Sequence, residues 1–140
     1  VPDSFKTDLL KGTFNFDSSG GSTFKLALYT NISGLTTSTT AFTATNEVST
    51  SGTNYTSGGN SLTNNGVAVS SNIAFVDFAD LTFSSVTLSA VGALIYKSSS
   101  GNEAVLVLDF GGTKTATNGD FVVQFPTANS SSAIIRLGDA

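Results

Sequence analysis

Val86-Thr87-Leu88-Ser89-Ala90-Val91-Gly92-Ala93-Leu94-Ile95-Tyr96-Lys97 is the stretch on which the fold turns. Side chains alternate across a strand, so Val86, Leu88, Ala90, Leu94 and Tyr96 fall on one face. Val91, Ala93 and Ile95 fall on the other. After Ser89 both faces are apolar. That pattern predicts a central strand buried on both sides. Gly92 within it predicts a bulge or a close backbone approach.

Similar segments lie on either side. Ser98–Asn102 reads as a hairpin turn, and Ala104–Phe110 is apolar throughout except for Asp109. Gly111-Gly112 and Asn118-Gly119 bracket a further turn. Phe121–Phe125 alternates, Pro126 stops pairing, and Ala133–Leu137 makes a last short strand. Upstream, Thr13–Phe16 puts Phe14 and Phe16 on one face, and Ser18-Ser19-Gly20-Gly21 turns the chain. Phe24–Thr30 alternates Phe24, Leu26 and Leu28 against Lys25, Ala27 and Tyr29, with one buried face. Asn64-Asn65-Gly66 suits a type I′ turn before strands Val67–Ser70 and Ile73–Phe78.

These segments number about eight at roughly ten-residue spacing, which predicts an all-β antiparallel sandwich or flattened barrel. One short helical segment, residues 1–12, precedes them. Asp3 and Ser4 can cap it, Phe5, Leu9 and Leu10 share a face, and Gly12 can end it. Such a helix is marginal alone, so it must dock. Capping the sandwich end of its own chain is favoured over docking on a partner. Residues 31–64 form a long Ser/Thr/Gly-rich loop region anchored only by Phe42, Val48, Tyr55 and Leu62. A loop of that length is either functional or a solvated excursion.

Composition agrees. Of 140 residues, 11% are charged and 39% hydrophobic, and the mean hydropathy is +0.17. Ser and Thr together supply about 40 residues, far above ordinary usage. Hydroxyl residues compete with the helix for backbone hydrogen bonds, and Thr suits strands. Eleven Phe argue against disorder. The length fits one domain, residues 1–140.

Absences narrow the function. The chain has no Cys, His, Met or Trp. Most zinc, copper, haem and iron–sulfur sites therefore lack their ligands, and Ser-His-Asp or Cys-His nucleophiles are excluded. The six cations, Lys6, Lys11, Lys25, Lys97, Lys114 and Arg136, are scattered in a chain of net charge −4. That is no phosphate-binding face, so no nucleic-acid partner is expected. No run of apolar residues is long enough to span a membrane as a helix, so no membrane is expected either. No basic-then-apolar stretch opens the chain, and a small first residue after a trimmed Met would fit cytoplasmic synthesis.

The carboxylates offer little chemistry. Asp77 and Asp80 are close in sequence, and Asp109 and Asp120 could meet across a hairpin. A glycosidase needs such a pair at fixed separation, but turn formation is the simpler role. Calcium is the one metal worth testing, through Asp77, Asp80, Asn118 and Asp120, though no Asp-x-Asp-x-Asp-Gly loop occurs. No catalytic, cofactor-binding or metal-binding residue is therefore assigned. Three Asn-x-Ser/Thr triplets begin at Asn31, Asn54 and Asn129, as chance supplies in this composition. Tyr29 and Tyr55, read as exposed, could stack on a sugar.

Several segments together resemble a family of small virion proteins of tailed bacteriophages. They are Ser4-Phe5-Lys6-Thr7-Asp8-Leu9-Leu10-Lys11-Gly12, Phe24-Lys25-Leu26-Ala27-Leu28, Asn46-Glu47-Val48 with Gly58-Gly59, Ala93-Leu94-Ile95-Tyr96, Asp109-Phe110-Gly111 and Asn118-Gly119-Asp120-Phe121. The likeness runs from Ser4 to Leu137. It departs from the pattern in a shorter Tyr29-to-Asn46 segment and in Phe83 where the family often has Trp. It implies a structural protein without enzymatic activity, most simply a capsid decoration (cement) protein on the virion surface that binds the major capsid protein and stabilises the head. A homo-oligomer such as a trimer would multiply weak contacts by avidity. A tail, collar or fibre module and a carbohydrate-binding adhesin domain are the alternatives. Phe5, Leu9, Leu10, Phe42 and Tyr55 are the candidate partner contacts.

Overall fold

A computed structural model describes residues 1–139. The decisive stretch lies in strand β5 (Leu81–Lys97), which forms a long antiparallel ribbon with β6 (Ala104–Val123). β1 (Phe24–Tyr29) pairs with the other edge of β5, and the two-residue β2 (Asn60–Ser61) with β1. The order β2-β1-β5-β6 makes one sheet. The second sheet runs β3 (Asn64–Ser70), β4 (Ile73–Phe78), β7 (Ile135–Leu137). Every pairing is antiparallel. The fold is all-β, two open antiparallel sheets sharing a core, with no closed barrel.

Among the described residues seven strands form where about eight were expected, for physical reasons. Residues 13–16 run extended but unpaired, yet Phe14 and Phe16 are buried. Gly111-Gly112 and Asn118-Gly119 do not bracket a turn. Gly111, Gly112 and Asn118 take positive φ within one bulged strand, which joins the two segments expected apart. The type I′ turn is misplaced by the sequence pattern too. Gly66 (φ 88°) sits in a bulge of β3, and the turn residues are Ser71 and Asn72, with φ of 53° and 63°.

β5 is buried on both sides, but its faces do not follow simple alternation. Val86, Leu88 and Ala90 point into the core between the sheets; so do Ala93 and Ile95. Leu94 and Tyr96 point the other way. The switch falls where Ala90 pairs with Lys114 but Gly92 pairs with Asp109. Between these pairs Val91 is left unpaired on β5, and Phe110–Thr113 bulge from β6. Gly92 is where the backbones crowd: a Cβ there would overlap the Leu108 carbonyl and press on Ile32. β1 likewise has two buried faces rather than one, since Ala27 and Tyr29 are fully covered.

Aromatic rings organise the core. Phe5, Phe14, Phe16, Phe24, Phe78 and Phe125 form a chain of contacts, with Phe16 and Phe24 stacked at 4.7 Å. Tyr55, Phe83, Phe121 and Phe110 form a second chain. A fully buried Leu or Phe contributes about 1.5–3 kcal/mol. The one ion pair among the described residues, Lys6–Asp3, is exposed and worth at most about 1 kcal/mol. Apolar burial therefore holds this fold.

Helix α1 (Asp3–Leu10) packs on its own chain through Phe5. Pro2, not Asp3 or Ser4, is its N-cap, and no side chain caps it. Ser4 Oγ donates instead to the Thr39 carbonyl, and the Asp3 N–H to that of Thr37. Gly12 ends the helix with φ 78°, as expected.

Candidate functional site: a pinned Ser/Thr-rich layer

The segment from Thr30 to Gly59 contains no regular strand, yet it is a third layer of the molecule. Ile32, Leu35 and Phe42 cover Ala27, Tyr29, Leu94, Tyr96 and Ala104 on the outer face of the larger sheet. Phe42 stacks on Tyr96 at 4.8 Å. Further along, the segment follows the free edge of β1, where the Val48 N–H donates to the Leu28 carbonyl and Tyr29 bridges Glu47. Val48 and Tyr55 then enter the core between the sheets.

Hydroxyl groups do the local folding that strand pairing does elsewhere. Thr36, Thr43, Ser49 and Thr53 each accept from the N–H two residues on. Thr39 accepts from Thr36 N–H in the other direction. Such side-chain turns stabilise irregular backbone. The high Ser/Thr content of this region is therefore structural.

Glu47 is the hub. Its carboxylate accepts from Tyr55 Oη (2.7 Å), Ser57 Oγ (2.8 Å) and the Gly58 N–H (2.7 Å). Tyr55 Oη in turn accepts from the buried Leu28 N–H at 3.0 Å. Tyr96 Oη donates to the Gly58 carbonyl (2.7 Å) and Tyr29 Oη to that of Thr43 (2.6 Å). Thus all three tyrosines of the chain fasten this layer. Burial pushes each phenol above its ordinary pKa, and the Glu47 charge adds to the effect. Gly59 (φ 76°) lets the backbone lie against β1, since any Cβ would overlap the Leu26 carbonyl.

Two open grooves lie elsewhere. One, of about 760 Å³, is lined by Phe110, Phe121, Phe125 and Ile134 together with Asp109, Lys114 and Asp120. The other, of about 580 Å³, lies between α1 and the smaller sheet, lined by Val1, Phe5, Leu9, Leu106, Ile135 and Leu137.

The sequence-derived candidates fall in different places. Phe5 and Tyr55 are core residues, Phe42 is half-buried and stacked over Tyr96, Leu9 packs against the core, and Leu10 is 87% exposed. Tyr29 and Tyr55 are buried, so the sugar platform drawn from their exposure does not exist. Asp109 and Asp120 line one groove, but each oxygen in use caps a local N–H, that of Gly111 (2.8 Å) and that of Ser85 (3.3 Å). Asp80 accepts from the Phe125 N–H at 2.7 Å. Asp77 is 1% exposed, with Oδ1 on the Phe78 N–H and Oδ2 without a partner. Among the described residues no three acidic groups converge as a calcium site would need. Asn31, Asn54 and Asn129 all bind nearby backbone through their side chains.

Residue reading missed Glu47 and Tyr96 as the pins. One signal was present: Glu47 is the single charged residue between Lys25 and Asp77. A lone charge in so long an uncharged run must be solvated or held by donors, and here it is held. No family model, curated protein or solved structure matches the chain.

Proposed function

We propose that this chain is a non-enzymatic structural protein of a bacteriophage virion, a decoration protein that binds the major capsid protein and stabilises the assembled head. The observation that carries the reading is the pinned layer over the outer face of β1 and β5. It presents a surface of hydroxyls and backbone with a single charge, Glu47, between Lys25 and Asp77, and that charge is turned inward onto Tyr55, Ser57 and Gly58. A surface of this kind recognises a protein face through shape and neutral hydrogen bonds, and salt screens it little. Three tyrosines and a carboxylate spent on immobilising a loop suit a part that must stay rigid under load. The resemblance of the Ser4–Leu137 motif series to virion proteins supports the same role.

Quantifying the protein in purified virions tests the reading. A decoration protein is present in proportion to the shell subunits, on the head, and rebinds stripped heads with an affinity that changes little between low and high salt. A handful of copies confined to the tail would overturn it in favour of a tail or collar module.

A further inference from the structure

The second sheet ends in the edge strand β3, which past its Gly66 bulge lacks the usual safeguards. Exposed strand edges are normally blunted by charge, proline, a bulge or brevity. β2 has two residues and β7 three. β6 carries the Gly111-Gly112 bulge and Asp109, Lys114 and Asp120. β3 is regular from Val67 to Ser70 and contains neither proline nor charge. Indeed no charged residue occurs anywhere from Val48 to Val76.

The register shows which backbone groups are free. Ser70 and Ile73 flank a two-residue turn, so they form a hydrogen-bonded pair, and Ala68 with Phe75 forms the next. Val67 and Val69 therefore turn their N–H and C=O groups away from β4. Their side chains are 54% and 70% exposed. Both lie on the face of the sheet that continues into the core. Val69 is in a row with Ala74 and Leu137, the last 62% exposed, and Val67 is in a row with the buried Val76 and with Ile135.

We propose that β3 is a self-pairing edge, which joins two copies of this chain antiparallel about a two-fold axis at Ala68. In that pairing Val67 of each copy lies opposite Val69 of the other. Both are the residues with outward-facing groups, so each pair exchanges two hydrogen bonds, and the central Ala68 pair exchanges none. The two three-stranded sheets become one of six strands. The exposed row Val69-Ala74-Leu137 of one copy runs straight into the Val67-Val76-Ile135 row of the other. A second copy is the occupant that the charge pattern favours. The net charge of −4 opposes self-association in general, but Val67–Ser70 and the paired Ile73–Val76 carry no charge to bring together. The resulting contact is isologous and closes at two.

Sedimentation velocity on the full chain, up to about 0.1 mM, tests the proposal. The expected result is a concentration-dependent dimer in which the Val67 and Val69 amides gain protection from hydrogen exchange. Val69→Lys and Val69→Pro should each weaken dimerisation by about tenfold or more while circular dichroism stays native. The outward N–H that Pro removes is not used within the monomer. Val122→Lys, at a half-exposed valine on β6, should leave the dimer intact. A monomer throughout the range would overturn the proposal, as would a trimer or a dimer indifferent to both Val69 substitutions. Protection of these amides only on added phage heads would also overturn it, by giving the edge to a different strand.

Discussion

Tyr55→Phe removes one oxygen and tests whether the outer layer is truly pinned. That oxygen accepts from the Leu28 N–H at 3.0 Å and donates to Glu47 at 2.7 Å. Tyr55 is 3% exposed and Leu28 fully buried, so water does not replace the lost acceptor. An orphaned buried N–H costs about 1–3 kcal/mol, and a hydrogen bond to a charged group is worth about 1.5–3. Glu47 is only half-buried and keeps Ser57 and Gly58 as donors, so its share lies at the low end. The expected loss is about 2–4 kcal/mol, or roughly 6–12 °C in Tm for a chain of this length. Urea unfolding at neutral pH measures it, with an unchanged m value showing that the denatured state is not responsible. Combining Tyr55→Phe with Glu47→Gln should be less than additive, because both act on one network. A loss below about 0.5 kcal/mol, or strict additivity, would refute the reasoning.

Two further outcomes follow from buried titratable groups. Because the folded state holds all three phenolic protons more tightly than the unfolded chain, stability is complete below pH 10 and falls above it. The slope is about 1.4 kcal/mol per pH unit for each tyrosine. Tyrosinate absorbance should therefore appear together with loss of the β-sheet circular dichroism signal, and tyrosines titrating one by one in a folded protein would contradict the burial. Asp77 is raised by burial, opposed by its Phe78 hydrogen bond and aided by the Asp80 charge. Its folded form also holds a proton that the unfolded chain releases, so its contribution falls as pH rises above the usual carboxylate range. Asp77→Asn should then stabilise the protein more at pH 7 than at pH 4, as read from denaturation at both; an effect independent of pH would count against it.

Much of the sheet structure was legible because strand burial leaves a two-residue period. The position of β1 and the two-sided burial of β5 came from that period alone. What it could not register was a change of phase. Gly92 marked the place of the irregularity, but nothing local told that an unpaired Val91 beside it shifts Leu94 and Tyr96 to the opposite face from Val86, Leu88 and Ala90. The cause lies on another strand, at Phe110–Thr113. The loop region was legible only as an absence of pattern. Its order depends on contacts distant in sequence, such as Asn102 with Phe42 and Tyr96 with Gly58. The tyrosines misled for a related reason: flanked by Asn and Thr they look solvated, but the loop layer covers Tyr29 on its strand, and the turn at Thr53-Asn54 carries Tyr55 inward.

The bulge in β6 has a practical side. Gly111 and Gly112 have open space around them, and Phe110–Thr113 take no part in the ladder. Chain length at that point is decoupled from the register of the strands before and after it. A peptide spliced between the two glycines would leave both halves of the ribbon in step. If the protein coats a particle as proposed, that joint is a place from which foreign sequences could be displayed without retuning the scaffold.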